Sequence, residues 1–216
     1  MNNRWIVRMG LLASGALLLV LAGCLSTAGE CTEPGQVVWG QGSDPGKDAP
    51  KWIKGGRAAL KEAGVRRKDV PGKFLVYVGV SEDKGDERGA QFAGAEDMLK
   101  RYAFWLQEEL DELLPRAARE AKASLPNIDT AVGAYSAVTY LPRENAPYFR
   151  AAWQARGQSC DTGQPVYRVY VLGLFDRDTR REHLLEAAKE TFKHAVIRAE
   201  VKDQVLKDFQ RLIRRL

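Results

Sequence analysis

Residues 70–83 read "VPGKFLVYVGVSED", and this run sets the fold. Phe74, Val76, Val78 and Val80 alternate with Leu75, Tyr77 and Gly79, so both faces of the extended chain are apolar, the pattern of a strand covered on its two sides. The period then changes from two to three and four. Phe92, Ala95, Leu99, Tyr102, Leu106, Leu110 and Leu113 make one stripe, which predicts a long amphipathic helix. It begins near Asp86 and Glu87, acids that suit the positive end of a helix dipole. Pro115 limits the regular repeat, although helix can resume through "RAAREAKASL".

A short helical piece around Arg57 to Ala63 precedes this unit. Beyond it, "TAVGAYSAVTYL" (130–141) reads as a second strand whose small residues suit close backbone packing. Tyr148, Phe149, Ala152 and Trp153 then fit a short amphipathic helix, before glycines and Cys160 open a loop. The third strand is "PVYRVYVLGLF" (165–175), with Tyr167, Val169, Val171 and Phe175 on one face. From Thr179 to Leu216 there is no Gly or Pro. Leu184, Ala188, Phe192, Val205, Phe209 and Leu212 hold helical spacing with a lapse at Lys202, predicting one long helix or two nearly collinear ones. The order strand-helix-strand-strand-helix gives an α+β class: a small antiparallel-containing sheet of about three strands packed on two long helices.

The 216 residues leave room for one such domain behind a leader. The N-terminal stretch "RWIVRMGLLASGALLLVLAGCLSTAGEC" (4–31) has Arg4 and Arg8 ahead of an apolar or small run from Met9 to Gly23, the layout of a secretory signal. A spanning helix needs ~20 apolar residues, and this run is shorter. Leu21, Ala22, Gly23 and Cys24 resemble the lipobox of bacterial lipoproteins. The resemblance implies cleavage before Cys24 and a covalent N-acyl and S-diacylglycerol lipid on that residue, with no other cofactor. Two or more acyl chains hold a protein stably on a bilayer, at ~0.8 kcal/mol per buried methylene. Leu25, standing where an aspartate would favour the inner membrane, implies an outer-membrane address.

Residues 1–23 are thus a signal peptide, 24–50 a tether rich in Gly, Pro and polar residues, and 51–216 the domain. An exported chain meets an oxidising compartment, where Cys31 and Cys160 either pair or stay as free or intermolecular thiols.

The formal charge is +5; no acid precedes Cys24, so cleavage there removes Arg4 and Arg8 and leaves +3. Basicity this mild, spread among many acids, is a solvated surface and argues against nucleic acid as a partner. The glycines of "GVSEDKGDERG" are crowded by Glu82, Asp83, Asp86 and Glu87, which repel phosphate and suit a capped turn. His183 and His194 lie three helical turns apart on one helix, too far to share an ion there. No serine sits in a Gly-x-Ser-x-Gly turn, and the acid pairs Glu108–Glu109 and Asp111–Glu112 fit a solvated helix face. Tyr102, Phe104 and Trp105 read either as core or, with Trp153, as the aromatic lining of a ligand cavity. The terminal "RLIRRL" suits a helix end or an anionic surface.

With these pieces in order, the chain from Pro50 to about Glu190 is similar to the LPP-twenty family of bacterial outer-membrane lipoproteins. The likeness rests on "PKWIKG", on "FLVYVGVSED" followed by "GAQFAGAEDML", on the Trp153 region and on "GQPVYRVYVLGLF". It implies a non-enzymatic, membrane-anchored lipoprotein of the cell envelope that contacts an envelope protein or itself. Two alternatives stay open: a lipoprotein binding a lipid or small ligand, and an envelope enzyme with an unrecognised site.

Overall fold

The computed structural model describes residues 31, 33–66, 73–125, 134, 148–193, 195 and 197–216. Among them are four strands and four α-helices: β1 (Val37–Trp39), α1 (Gly56–Glu62), β2 (Phe74–Val80), α2 (Glu87–Glu120), β3 (Phe149–Ser159), β4 (Pro165–Asp176), α3 (Arg177–Lys193) and α4 (Ala199–Ile213). The class is α+β. The sheet order is β1-β3-β4-β2, and every neighbouring pair is antiparallel.

β4 is central, and its alternation builds two cores. Val169, Val171 and Phe175 face α2, α3 and α4, where they join Met98, Leu99, Tyr102, Leu106, Leu110, Leu184, Phe192 and Phe209. Leu172 and Leu174 face the opposite side, under Trp52 from a 3-10 turn (Lys51–Lys54), Ala59 from α1 and Ala63 just after it. β2 contributes to both sides, so the absence of a polar face in "FLVYVGV" has its structural cause.

α2 begins where the acids suggested: the Asp86 carboxylate accepts from the Gly89 N–H at 2.6 Å. Its stripe is buried from Leu99 to Leu113, with a correction at its start: Ala95 is only partly buried and Phe92 stands 53% exposed. Gly94 and Met98 take the sheet-facing positions instead, where the sheet approaches too closely for a ring. Pro115 lies inside the helix and does not end it. Leu113, Leu114, Ala117 and Ala118 are buried on either side of the proline, and this burial outweighs the one helical hydrogen bond that proline lacks.

Three further expectations change. Phe149 to Ser159 is a strand, not a short helix: Trp153 is opposite Tyr170 and Gln158 opposite Pro165. Its partner β4 supplies the ladder through a tight turn in which Gly163 has φ 67° and its carbonyl accepts from Gln158 Nε2. Helices α3 and α4 are not collinear and do not bend at Lys202; α3 ends at Lys193, α4 starts at Ala199, and the two run antiparallel, each start beside the other's end. Both halves carry apolar residues suited to the same flank of α2, and folding back lets both use it. Lys202 donates to the Phe192 carbonyl at the end of α3, and Arg181 donates to the Ile213 and Arg214 carbonyls at the end of α4. Each cation therefore caps a negative helix terminus.

The third correction concerns the tether. Val37–Trp39 pairs with Gly157–Ser159, so the folded domain starts well before Lys51. Few apolar residues hold this segment; polar contacts do. The Asp161 carboxylate accepts from the Gly35 N–H, the Arg156 carbonyl accepts from both Gly40 N and Ser43 Oγ, and Cys31 is disulfide-bonded to Cys160. The proposed second strand (130–141), the lipobox with Cys24, and His194 lie outside the described residues, Ala134 aside.

Candidate functional site

Among the described residues, two places hold polar or open chemistry. The first is inside the main core. Tyr102 on α2 is fully buried and stacks on Phe175 of β4, with ring centroids 3.7 Å apart, and on Trp105 at 5.7 Å. Its hydroxyl shares a 3.0 Å hydrogen bond with His183 Nδ1 on α3. Arg180, one turn earlier on α3, lies over the Trp105 ring at 5.5 Å.

Burial sets the electrostatics here. Desolvation pushes His183 down to about 4, with Asp176 as a weaker opposing influence. The neutral imidazole and the Tyr102 hydroxyl share one hydrogen bond, and the ring tautomer sets which of them donates. Burial holds the Tyr102 hydroxyl well above its usual range, against the nearby Arg180 charge, and raises Tyr77 to about 12. Glu109 is also raised, first by burial and then by Glu112. Thus Glu109 departs from the solvated face read for the acid pairs, whereas Glu108, Asp111 and Glu112 are exposed.

Trp105, Glu109, Arg177, Arg180, Arg181, Leu184 and Leu216 surround a depression of about 160 Å³ beside this cluster. The Tyr102–His183 pair itself is sealed beneath it. A catalytic acid or base must reach its substrate, and this pair reaches only its core neighbours.

The second place is a groove of about 690 Å³ over the first turns of α2 and the start of β3. Phe92, Ala95, Phe149, Ala151, Ala152, Val169 and Val171 give it apolar walls; Arg88, Gln91 and Arg150 are its polar lining. The sequence placed Phe92 in the core stripe, and no periodicity marks residues drawn from three elements.

The three aromatics read as one cavity lining are not brought together. Tyr102 and Trp105 stack on each other on the helical side, while Trp153 packs against Tyr170 on the other face of the sheet, at 5.7 Å. The alternation along β3 decides this: Trp153 shares a sheet face with Leu172 and Leu174, away from α2.

Among the described residues, no group of three His, Cys, Asp or Glu is placed to hold a metal ion, and no helix is long and apolar enough to cross a membrane. The "GVSEDKGDERG" acids serve the fold: Asp86 caps α2, and Asp83 takes a bidentate pair from Arg168 at 2.7 and 2.9 Å. "RLIRRL" packs inward through Leu212 and Ile213, and Arg211 pairs with Glu120 and Asp208. Comparison of the chain with protein-family models, curated proteins and solved structures gives no match.

Proposed function

We propose that this chain is a lipid-anchored lipoprotein of the bacterial cell envelope whose α+β domain acts by contact rather than catalysis. The observation that carries the reading is the run from Met9 to Gly23 behind Arg4 and Arg8, closing on Leu21-Ala22-Gly23-Cys24. The Cys31–Cys160 disulfide supports export, since such bonds persist in oxidising compartments. The seclusion of the Tyr102–His183 pair in the core supports a non-enzymatic domain.

Anchoring at Cys24 and bridging at Cys31 leave six residues between lipid and fold. Seven Cα–Cα steps extend at most about 25 Å, so the sheet end bearing Cys160 is held close to the bilayer. The partner is an envelope protein or a second copy, in keeping with the LPP-twenty likeness, and Leu25 favours the outer membrane. Metabolic labelling with palmitate tests the reading. Wild type takes up label and stays with membranes through a high-salt wash, whereas Cys24→Ser does neither. Retention of Cys24→Ser on washed membranes overturns the anchor.

A further inference from the structure

We propose that the groove between the start of α2 and the start of β3 binds the chain of a free long-chain fatty acid, with Arg88 and Arg150 receiving its carboxylate. The volume of about 690 Å³ lies in the range of small-ligand sites. Its walls are hydrocarbon: two β-branched valines from β4, alanines from α2 and β3, and the rings of Phe92 and Phe149. Phe92 is half exposed although it sits in a helix whose other large apolar residues, Phe104 aside, are turned inward.

The charge lining the groove selects the head group. Two guanidiniums and the Gln91 amide line it, and no carboxylate does. Arg150 keeps its place through a bond from Nη1 to the Phe149 carbonyl at 3.1 Å and through the nearby Asp176 charge. A planar guanidinium matches a carboxylate bidentately, which a cationic or neutral amphiphile does not exploit. The groove lies at the opposite end of β3 from Cys160, the point nearest the lipid on Cys24, so a ligand distinct from the anchor is meant. The inference stands apart from the anchor reading, and the same binding is expected of the Cys24→Ser chain.

The test is photo-labelling of the full chain in nanodiscs with a diazirine-bearing palmitate. Saturable labelling is expected in peptides covering 88–95 and 149–152, competed by palmitate and about tenfold less well by hexadecanol, which lacks the charge. Ala95→Trp, which fills the groove, abolishes labelling there. The exposed pair Arg88→Gln with Arg150→Gln, which leaves the core untouched, weakens palmitate competition by about tenfold. Labelling that does not saturate, falls elsewhere or survives Ala95→Trp overturns the site. Equal competition by hexadecanol overturns the role of the arginines.

Discussion

Gly79 on β2 lies directly beneath Gly94 on α2: a Cβ on Gly79 falls inside contact distance of the Gly94 carbonyl oxygen and stands 2.6 Å from Met98 Cβ. A Cβ on Gly94 in turn meets the Val169 carbonyl oxygen at 2.8 Å. Helix and sheet thus touch backbone to backbone here, and both glycines are demanded by space rather than by a left-handed φ. Gly79→Ala must push two packed backbones apart, and a loss of about 3 kcal/mol is expected in urea unfolding, the upper part of the range for overpacking. Gly85→Ala, with nothing within 4 Å, is the control and stays within about 0.5 kcal/mol of wild type.

The disulfide closes a loop of 129 residues, joining the segment before β1 to the turn after β3. In the chain-entropy account a loop of this size restricts the unfolded chain by about 4–5 kcal/mol, and native disulfides in practice contribute about 2–5. Cys160→Ser is expected to lower stability by that amount. Cys31→Ser with Cys160→Ser together should cost no more than either alone, since both remove one bond. Denaturation midpoints that coincide with and without reductant would refute the contribution.

How far the sequence carried the fold follows from how local each signal is. β2, β4 and α2 were readable because period two or three-to-four runs uninterrupted through them, and the two faces of β4 each meet a core. β3 misled because Tyr148, Phe149, Ala152 and Trp153 fit helical spacing, while the alternating set Ala151, Trp153 and Ala155 is made mostly of alanine. β1 is three residues in a polar setting, held by Asp161, Arg156 and a bridge to a residue 129 positions away, none of which is local. The hairpin of α3 and α4 has no glycine or proline at its corner, so only the shared flank of α2 dictates it. The groove drew its walls from three elements and its clearest residue, Phe92, from within a core-like stripe.

Pro115 sits on the exposed side of α2 with buried Leu114 and Ala117 beside it. An alanine there supplies an N–H four residues after Asp111 and removes the ring from a continuous helix. Pro115→Ala is expected to raise stability by about 1–3 kcal/mol, the cost of proline in a helix interior less the part that packing already offsets. A thermal midpoint unchanged or lowered would show that the proline ring contributes packing that offsets its missing N–H.

His183 gives the domain an acid-sensitive core. Its folded value is pushed down to about 4 against an unfolded value of 6.5, so between these values the unfolded chain binds the extra proton. Stability from this group is therefore intact above pH 6.5 and is lost as the pH falls toward 4, where the difference becomes constant. By pH 5 the loss amounts to about 2 kcal/mol. Burial of the ring sets this sensitivity, and the Asp176 carboxylate opposes it only weakly. His183→Gln keeps a polar partner for the Tyr102 hydroxyl without a titrating ring, at some cost in packing. Urea midpoints measured at pH 7 and pH 5 should then differ by about 2 kcal/mol less in His183→Gln than in wild type. Equal differences in both chains would place the acid sensitivity in the carboxylates instead of this histidine.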